Sequence, residues 1–294
     1  MTRMNRTGGT RIPIVAHMEG LARTSDLWLA DIWGVMHNGV APFAGAVDAC
    51  ERFRAMGGTV LLLSNAPRPA ASVASQLDRI GVSRAAFDAI VSSGDAARGL
   101  IADAVARHQL ISHLGPERDT PIFDGLGHMG ASIDVAGVVV CTGLFDDETE
   151  TPDDYADLLA DFKLCDVEMI CANPDLTVER GGKIVYCAGA IAAAYEQIGG
   201  KVAYAGKPHL PIYDMALKKA AELRGSSVPR DRVLAIGDGI RTDIAGAAAA
   251  GVRSVFVASG IHVAAGASLD DVVLAELFPE GAAQPVAAMT GLRW

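Results

Sequence analysis

Residues 27–35 read Leu27-Trp28-Leu29-Ala30-Asp31-Ile32-Trp33-Gly34-Val35, an apolar run that stops on a carboxylate and then meets a glycine. Four apolar residues bounded in this way read as a buried strand ending at Asp31. Working outward, Val47, Cys50 and Phe53 recur at helical spacing until Gly57-Gly58 stops the helix. Thr59 to Leu63 is a second strand, running into Ser64-Asn65-Ala66-Pro67. Near the other end, Val233-Leu234-Ala235-Ile236 runs into Gly237-Asp238-Gly239, and Ser254 to Val257 follows an alanine-rich helix closed by Gly251. Short apolar strands alternating with amphipathic helices predict an α/β fold on a parallel sheet with crossover helices. Ligands of such sheets bind at the carboxyl ends of the strands, so the polar residues there are expected to converge on one site.

Between Ser64 and Lys207 the chain is far longer than one or two crossovers need, a βαβ unit taking roughly 30 residues. This stretch has its own strand candidates, Val138-Val139-Val140 and Met169-Ile170-Cys171, and its own helices, about Pro152 to Phe162 and Ala188 to Ile198. An inserted α/β unit over 93–202 is expected, with a discontinuous core made of 1–92 and 203–294.

The chain has 294 residues and a formal net charge of -10, which argues against a nucleic-acid partner. No apolar run approaches the ~18 residues of a membrane span. Ile12-Pro13-Ile14-Val15-Ala16 is too short and interrupted for a signal-peptide core and reads as a frayed tail leading into a helix. Five cysteines without CxxC spacing read as buried thiols in a reducing cytosol, so a cytoplasmic protein is expected. A homo-oligomer stays open.

Asp31-Ile32-Trp33-Gly34-Val35, Ser64-Asn65, Gly206-Lys207-Pro208 and Gly237-Asp238-Gly239-Ile240-Arg241-Thr242-Asp243 resemble, in order, the four motifs of the haloacid dehalogenase (HAD) superfamily. Asn173-Pro174-Asp175, together with Pro42 and Gly45-Ala46, is similar to its class IIA, NagD-like branch. The resemblance implies a Rossmann-like core with an inserted cap, and a phosphatase with Asp31 as nucleophile. A carboxylate there attacks phosphorus and splits one hard step into two. Ser64 donates a hydrogen bond to a phosphoryl oxygen, and Lys207 supplies a fixed positive charge. Magnesium, Mg2+, takes hard oxygen ligands, for which Asp31, Asp238 and the Trp33 carbonyl are implied. Asp243 ligates the ion or orients Lys207. Asn65, His37, Asn173 and Asp175 are candidate phosphate or substrate contacts. The implied partner is a small phosphorylated molecule: a sugar phosphate, a nucleotide or a phosphorylated cofactor.

Each residue also has a plainer reading. Asp31 could be a turn residue, Asp243 a helix-start carboxylate and Lys207 a solvated side chain ahead of a proline-led helix. His37 could be a solvent-facing loop residue and Asn-Pro-Asp a turn. Gly237-Asp238-Gly239 is no dinucleotide motif, because G-x-G-x-x-G is incomplete. Trp33 stands where phosphatases of this family carry an acid–base aspartate; on the plain reading it packs in the core. An aromatic residue there also resembles the metal-free haloacid dehalogenases, although those lack the carboxylate pair kept here as Asp238 and Asp243. The third alternative is a catalytically weak phospho-ligand binding protein.

Overall fold

The computed structural model describes residues 11–107, 109–126, 130–132, 135–180, 183–258 and 269–294. Its strands in chain order are β1 Leu27–Asp31, β2 Thr59–Ser64, β3 Ala89–Ser92, β4 Ile111–Leu114, β5 Val138–Cys141, β6 Glu168–Cys171, β7 Thr177–Arg180, β8 Lys183–Tyr186, β9 Lys201–Tyr204, β10 Val233–Gly237, β11 Arg253–Val257 and β12 Ala287–Met289. The α-helices are α1 Glu19–Ala22, α2 Ala44–Ala55, α3 Ala70–Ile80, α4 Ser93–Ala106, α5 Ala156–Leu164, α6 Ala188–Gln197, α7 Leu210–Arg224, α8 Ala245–Ala249 and α9 Asp271–Leu277.

β1 lies inside a six-stranded sheet of order β12-β11-β10-β1-β2-β3, in which every pair is parallel. Successive side chains point to opposite faces. Trp28, Ala30, Leu62 and Ile236 therefore pack on one side with Phe53 of α2, where Trp28 stacks on Phe53 at 4.0 Å. Leu27, Leu29, Leu61 and Ala235 pack on the other with Ile212, Tyr213 and Ala216 of α7. Both faces are covered, so the strands read as unbroken apolar runs. This is the α/β parallel core that the alternation of strands and helices predicted.

The chain leaves β1 towards β2 and β3, then returns to β10 on the other flank of β1. Strand order reverses there, and the crevice outside the carboxyl ends of β1 and β10 is where a ligand is expected. Asp31 ends β1, and Asp238 follows β10 directly.

A second parallel sheet, β4-β5-β6-β9, is made between β3 and β10. α5 and α6 cover one face, with Phe162, Ile191 and Tyr195 over Val139 and Met169; Ala97 and Ile101 of α4 lie on the other with Val138 and Ile170. The boundary expected at 202–203 falls inside β9, whose pairing with β6 runs on to Cys171↔Tyr204. β7 and β8 form an antiparallel ribbon.

Two expectations are corrected. Ile12 to Ala16 is not a frayed tail: Ile14 bridges Ala288 in parallel, the Val15 N–H donates to the Ala288 carbonyl at 2.9 Å, and Ile12 is buried. Residues 1–10 lie outside the described residues. Cys165 is exposed, whereas Cys50, Cys141, Cys171 and Cys187 are buried. No helix among the described residues is long and apolar enough to cross a membrane.

Candidate active site

Asp31 lies beside Leu63 at the matched ends of β1 and β2, which places Ser64 one residue farther on. Lys207 reaches this point from between β9 and α7. It is 2 % exposed, which rules out a solvated side chain. Its Nζ donates to Asp31 Oδ1 at 2.6 Å, Asp243 Oδ1 at 2.8 Å and the Leu63 carbonyl at 3.1 Å. All three ammonium hydrogens are thereby used. Burial works against the lysine charge, but Asp243 and Asp31 outweigh it and hold the pKa well above the usual value. Burial, then the nearby Asp243 charge, pushes the Asp31 carboxyl well up despite Lys207.

Asp243 owes its position to backbone geometry. Ile240–Ile244 is a π-helical turn, in which the Ile244 N–H donates to the Gly239 carbonyl at 3.0 Å. Such turns are rare and recur at functional sites. The turn aims the Asp243 carboxylate back at Gly239, whose N–H donates to Oδ2 at 3.0 Å. A side chain on Gly237 would occupy the space of that carboxylate. The glycine before Asp238 is therefore a steric requirement of the site. Asp31, Asp238 and Asp243 are all buried, and each offers an oxygen within 4.8 Å of the others. Three buried carboxylates gathered this closely offer hard oxygens, the donor set that suits magnesium.

The Asn65 side chain acts as a brace at the edge of the cavity. Its amide nitrogen donates to Asp175 Oδ1 at 2.8 Å and the Lys207 carbonyl at 3.1 Å, and its Oδ1 accepts the Lys207 N–H at 2.8 Å. No amide hydrogen remains for a ligand. Gly206 permits this arrangement, since a Cβ there would run into Asn65, Ser93 and Pro174. Asn173 forms the turn expected of Asn-Pro-Asp, its Oδ1 accepting the Asp175 N–H at 3.1 Å. That turn nevertheless carries Asp175 to Asn65. Burial raises the Asp175 carboxyl pKa.

His37 is not a solvent-facing loop residue. It is 1 % exposed, its Nδ1 accepts the Gly39 N–H at 2.9 Å, and burial pushes its pKa down to about 4. It is neutral at pH 7. Trp33 is not a core residue either: it is half-buried, edge-on to His37 with ring centroids 5.2 Å apart. Asp31, Trp33, His37, Ser64, Lys207 and Asp238 all face one cavity of about 590 Å³, which Asn173 and Asp175 line as well.

Among solved structures, a hydrolase of the haloacid dehalogenase-like family from Brucella suis 1330 is 41% identical, with a TM-score of 0.85 over 95% of this chain and 100% of that one. The chain belongs to the haloacid dehalogenase-like hydrolase family. Family models described as haloacid dehalogenase-like hydrolase and HAD-hydrolase-like match residues 28–128 and 204–276. A glycerol phosphate phosphatase from Mycobacterium tuberculosis, in complex with magnesium, is 25% identical, with a TM-score of 0.68 over 91% of this chain and 76% of that one. A 4-nitrophenylphosphatase from Thermotoga maritima shares the fold at 22% identity and a TM-score of 0.68, over 92% of this chain and 96% of that one. No curated protein matches. The family named from the four motifs is thus the one found.

The HAD motifs do not account for the whole cavity. Arg68, from the loop after β2, and Arg118, Asp119, Asp147 and Arg180, from the inserted stretch, also line it. Arg68 pairs with Asp119 at 3.4 Å. Arg180 pairs with Asp147 at 2.8 Å, and Arg118 pairs with the same oxygen. Sequence reading missed all five, because they lie far apart in the chain and in no motif. The one usable local signal was Gly181-Gly182 between two β-rich runs, a hairpin pattern that would have placed Arg180 at a strand end.

Proposed function

We propose that this HAD-family hydrolase cleaves small phosphomonoesters in a magnesium-dependent reaction through an aspartyl-phosphate on Asp31. The observation that carries the reading is the buried Lys207 ammonium tied to both Asp31 and Asp243, beside a third carboxylate, Asp238. Asp31, Asp238, Asp243 and the Trp33 carbonyl would hold the magnesium, which when bound offsets the charge gathered by the carboxylates and the phosphoryl group.

The remaining steps belong to side chains. Both hydrogen bonds to Asp31, from Lys207 and from the Ile32 N–H at 2.7 Å, fall on Oδ1, which leaves Oδ2 to attack phosphorus. Ser64 Oγ accepts the Ala66 N–H at 3.1 Å, so its own hydrogen is free for a phosphoryl oxygen. Lys207 fixes the nucleophile and supplies positive charge, and Asp243 fixes Lys207. Asn173 and Asp175 bring the insert to the site as a cap over the substrate. The M. tuberculosis relative, a glycerol phosphate phosphatase seen with magnesium, supports the same class of reaction.

Trp33 favours the second reading, a metal-free dehalogenase, since it has no proton to exchange. Against it, such a site would leave three buried carboxylates facing one lysine. A panel of phosphorylated metabolites assayed with and without magnesium decides between them. Phosphate release that needs magnesium and disappears in Asp31→Asn is expected. Halide release from 2-haloacids in chelator would establish the dehalogenase, and tight phosphometabolite binding without turnover would establish a binding protein.

A further inference from the structure

Of the four arginines on the cavity wall, three, Arg68, Arg118 and Arg180, carry more charge than their partners neutralise. Arg68, Arg118 and Arg180 face two wall carboxylates, Asp119 and Asp147, among the described residues. Glu148 also approaches Arg180, at 3.4 Å, but it is matched by Lys183 at 3.9 Å. The other cavity carboxylates outside the metal cluster keep their charge but hydrogen-bond away from these arginines, Asp175 to Asn65 and Glu196 to the Tyr204 hydroxyl, so the excess of one positive charge is local to the arginine group. One positive charge is left over on a chain whose net charge is -10.

Pairing alone also leaves Arg68 incompletely satisfied. Its Nη2 donates to Gln76 Oε1 at 3.0 Å, but its Nε is buried without a hydrogen-bond partner, although Asp119 lies 3.4 Å away. The guanidinium is thus held by one hydrogen bond and one long ion pair, which leaves donors on it unused. Arg68 feels the other two: burial, together with the Arg118 and Arg180 charges, lowers its pKa despite Asp119. Arginine stays charged regardless and presents a planar fork suited to carboxylate and phosphate.

Resting on the phosphatase reading above, we propose that the substrate carries a second anionic group, a carboxylate or a second phosphate remote from the ester, which Arg68, Arg118 and Arg180 bind. The cavity holds both ends, since the same 590 Å³ is lined by Asp31 and Lys207 and by the three arginines. Arg68 comes from the core, whereas Arg118 and Arg180 come from the insert, so a substrate bridging them touches both units. Sugar monophosphates without another charge leave the arginines unused; phosphorylated carboxylic acids and bisphosphates use them.

Calorimetric titration with non-hydrolysable analogues in magnesium buffer tests this without turnover. The ligands are ω-phosphonocarboxylates of increasing chain length, alkylene bisphosphonates, and n-alkylphosphonates matched in length. At one length or more, a second anion is expected to tighten binding about tenfold or more, as a charge-assisted contact to arginine allows. The tighter of the two dianionic series identifies the group as carboxylate or phosphate. Arg68→Gln and Arg180→Gln are each expected to abolish the preference, so misfolding of one leaves the other as the test. Equal affinity at every length, or a preference that survives in both variants, overturns the proposal. Failure of the phosphatase reading looks different. Selective binding of two-anion ligands without hydrolysis of the corresponding esters would overturn that reading and keep this one. Hydrolysis of alkyl phosphates with no such selectivity would do the reverse.

Discussion

At the carboxyl end of β1 one buried ammonium is shared by two carboxylates, Asp31 and Asp243, whereas elsewhere on the same cavity one carboxylate, Asp147, is shared by two guanidiniums. The first cluster has negative charge in excess and the second positive. The first is almost sealed from water and fixed by strand ends and a π-helical turn; the second is half open, with Arg118 and Arg180 exposed by 49% and 41%. A sealed anionic cluster calls for a cation and an open cationic one for an anion. The same ion types thus serve opposite ends of one ligand.

The largest expected effect comes from removing Asp31, the proposed nucleophile. Asp31→Asn keeps the shape and an acceptor for Lys207 but loses the attacking charge, so kcat/KM is expected to fall by about 10⁴-fold or more. Its melting temperature is expected to stay at or above that of the wild type, because burial already disfavours the Asp31 charge. Wild-type turnover by the purified variant would show that Asp31 does not attack. Lys207→Met is next. It leaves Asp31 and Asp243 facing each other with no lysine between them, and stripping one partner from a buried ion cluster costs about 3–5 kcal/mol. Urea unfolding in chelator measures this, and millimolar magnesium is expected to restore part of it. A variant as stable as the wild type in chelator would mean that the lysine does not hold the cluster together.

The contrast between the clusters also explains what was legible in the sequence. Asp31, Ser64 and Asp238 were readable because each follows an apolar run, and a parallel sheet brings the ends of such runs together. Lys207 and Asp243 were readable as motif members, but their contact depends on Gly206 and Gly237, whose steric roles appear only in three dimensions. The bracing role of Asn65 was not legible, because only the structure shows its amide hydrogens used by Asp175 and Lys207. The plain alternatives for Trp33 and His37 fail in opposite senses: the apolar residue is half open and the polar one buried. A tight turn after a strand reverses the usual rule, since His37 satisfies itself on the Gly39 N–H. The arginine wall was invisible, being assembled from segments that only the packing of two sheets brings together.

Trp33 gives the third effect, at the junction of the two ends. A leaving group of low pKa departs as an anion, whereas an alkoxide needs the proton that Trp33 lacks. Aryl or acyl phosphates are expected to exceed alkyl phosphates in kcat/KM by about 10²-fold, the low end of what a general acid contributes. Trp33→Asp is expected to narrow the gap. Its folding penalty should be below the about 3–5 kcal/mol of a fully buried aromatic, because Trp33 is half open. Equal kcat/KM values across leaving groups would show that another group supplies the proton.

The smallest effect separates the clusters by the sign of their response to acid. Burial alone would raise the Asp147 carboxyl, but the Arg180 hydrogen bonds and the Arg118 charge outweigh it and hold the pKa below the ordinary carboxylate range. A depressed pKa in the folded state means stability that is present above the unfolded carboxylate value and is lost as pH falls through the folded one. Asp31, with its pKa raised, works in the other direction: protonating it relieves repulsion with Asp243. Acidification below the ordinary carboxylate range is therefore expected to loosen the arginine wall. Asp147→Asn removes that contribution, and both arginines are exposed enough for water to screen it to about 1 kcal/mol or less. Wild type and variant are expected to differ by that amount in urea unfolding at neutral pH and to converge in acid. A gap of constant size from neutral pH into strong acid would assign the loss to packing and remove Asp147 as the charge that holds Arg118 and Arg180 in place.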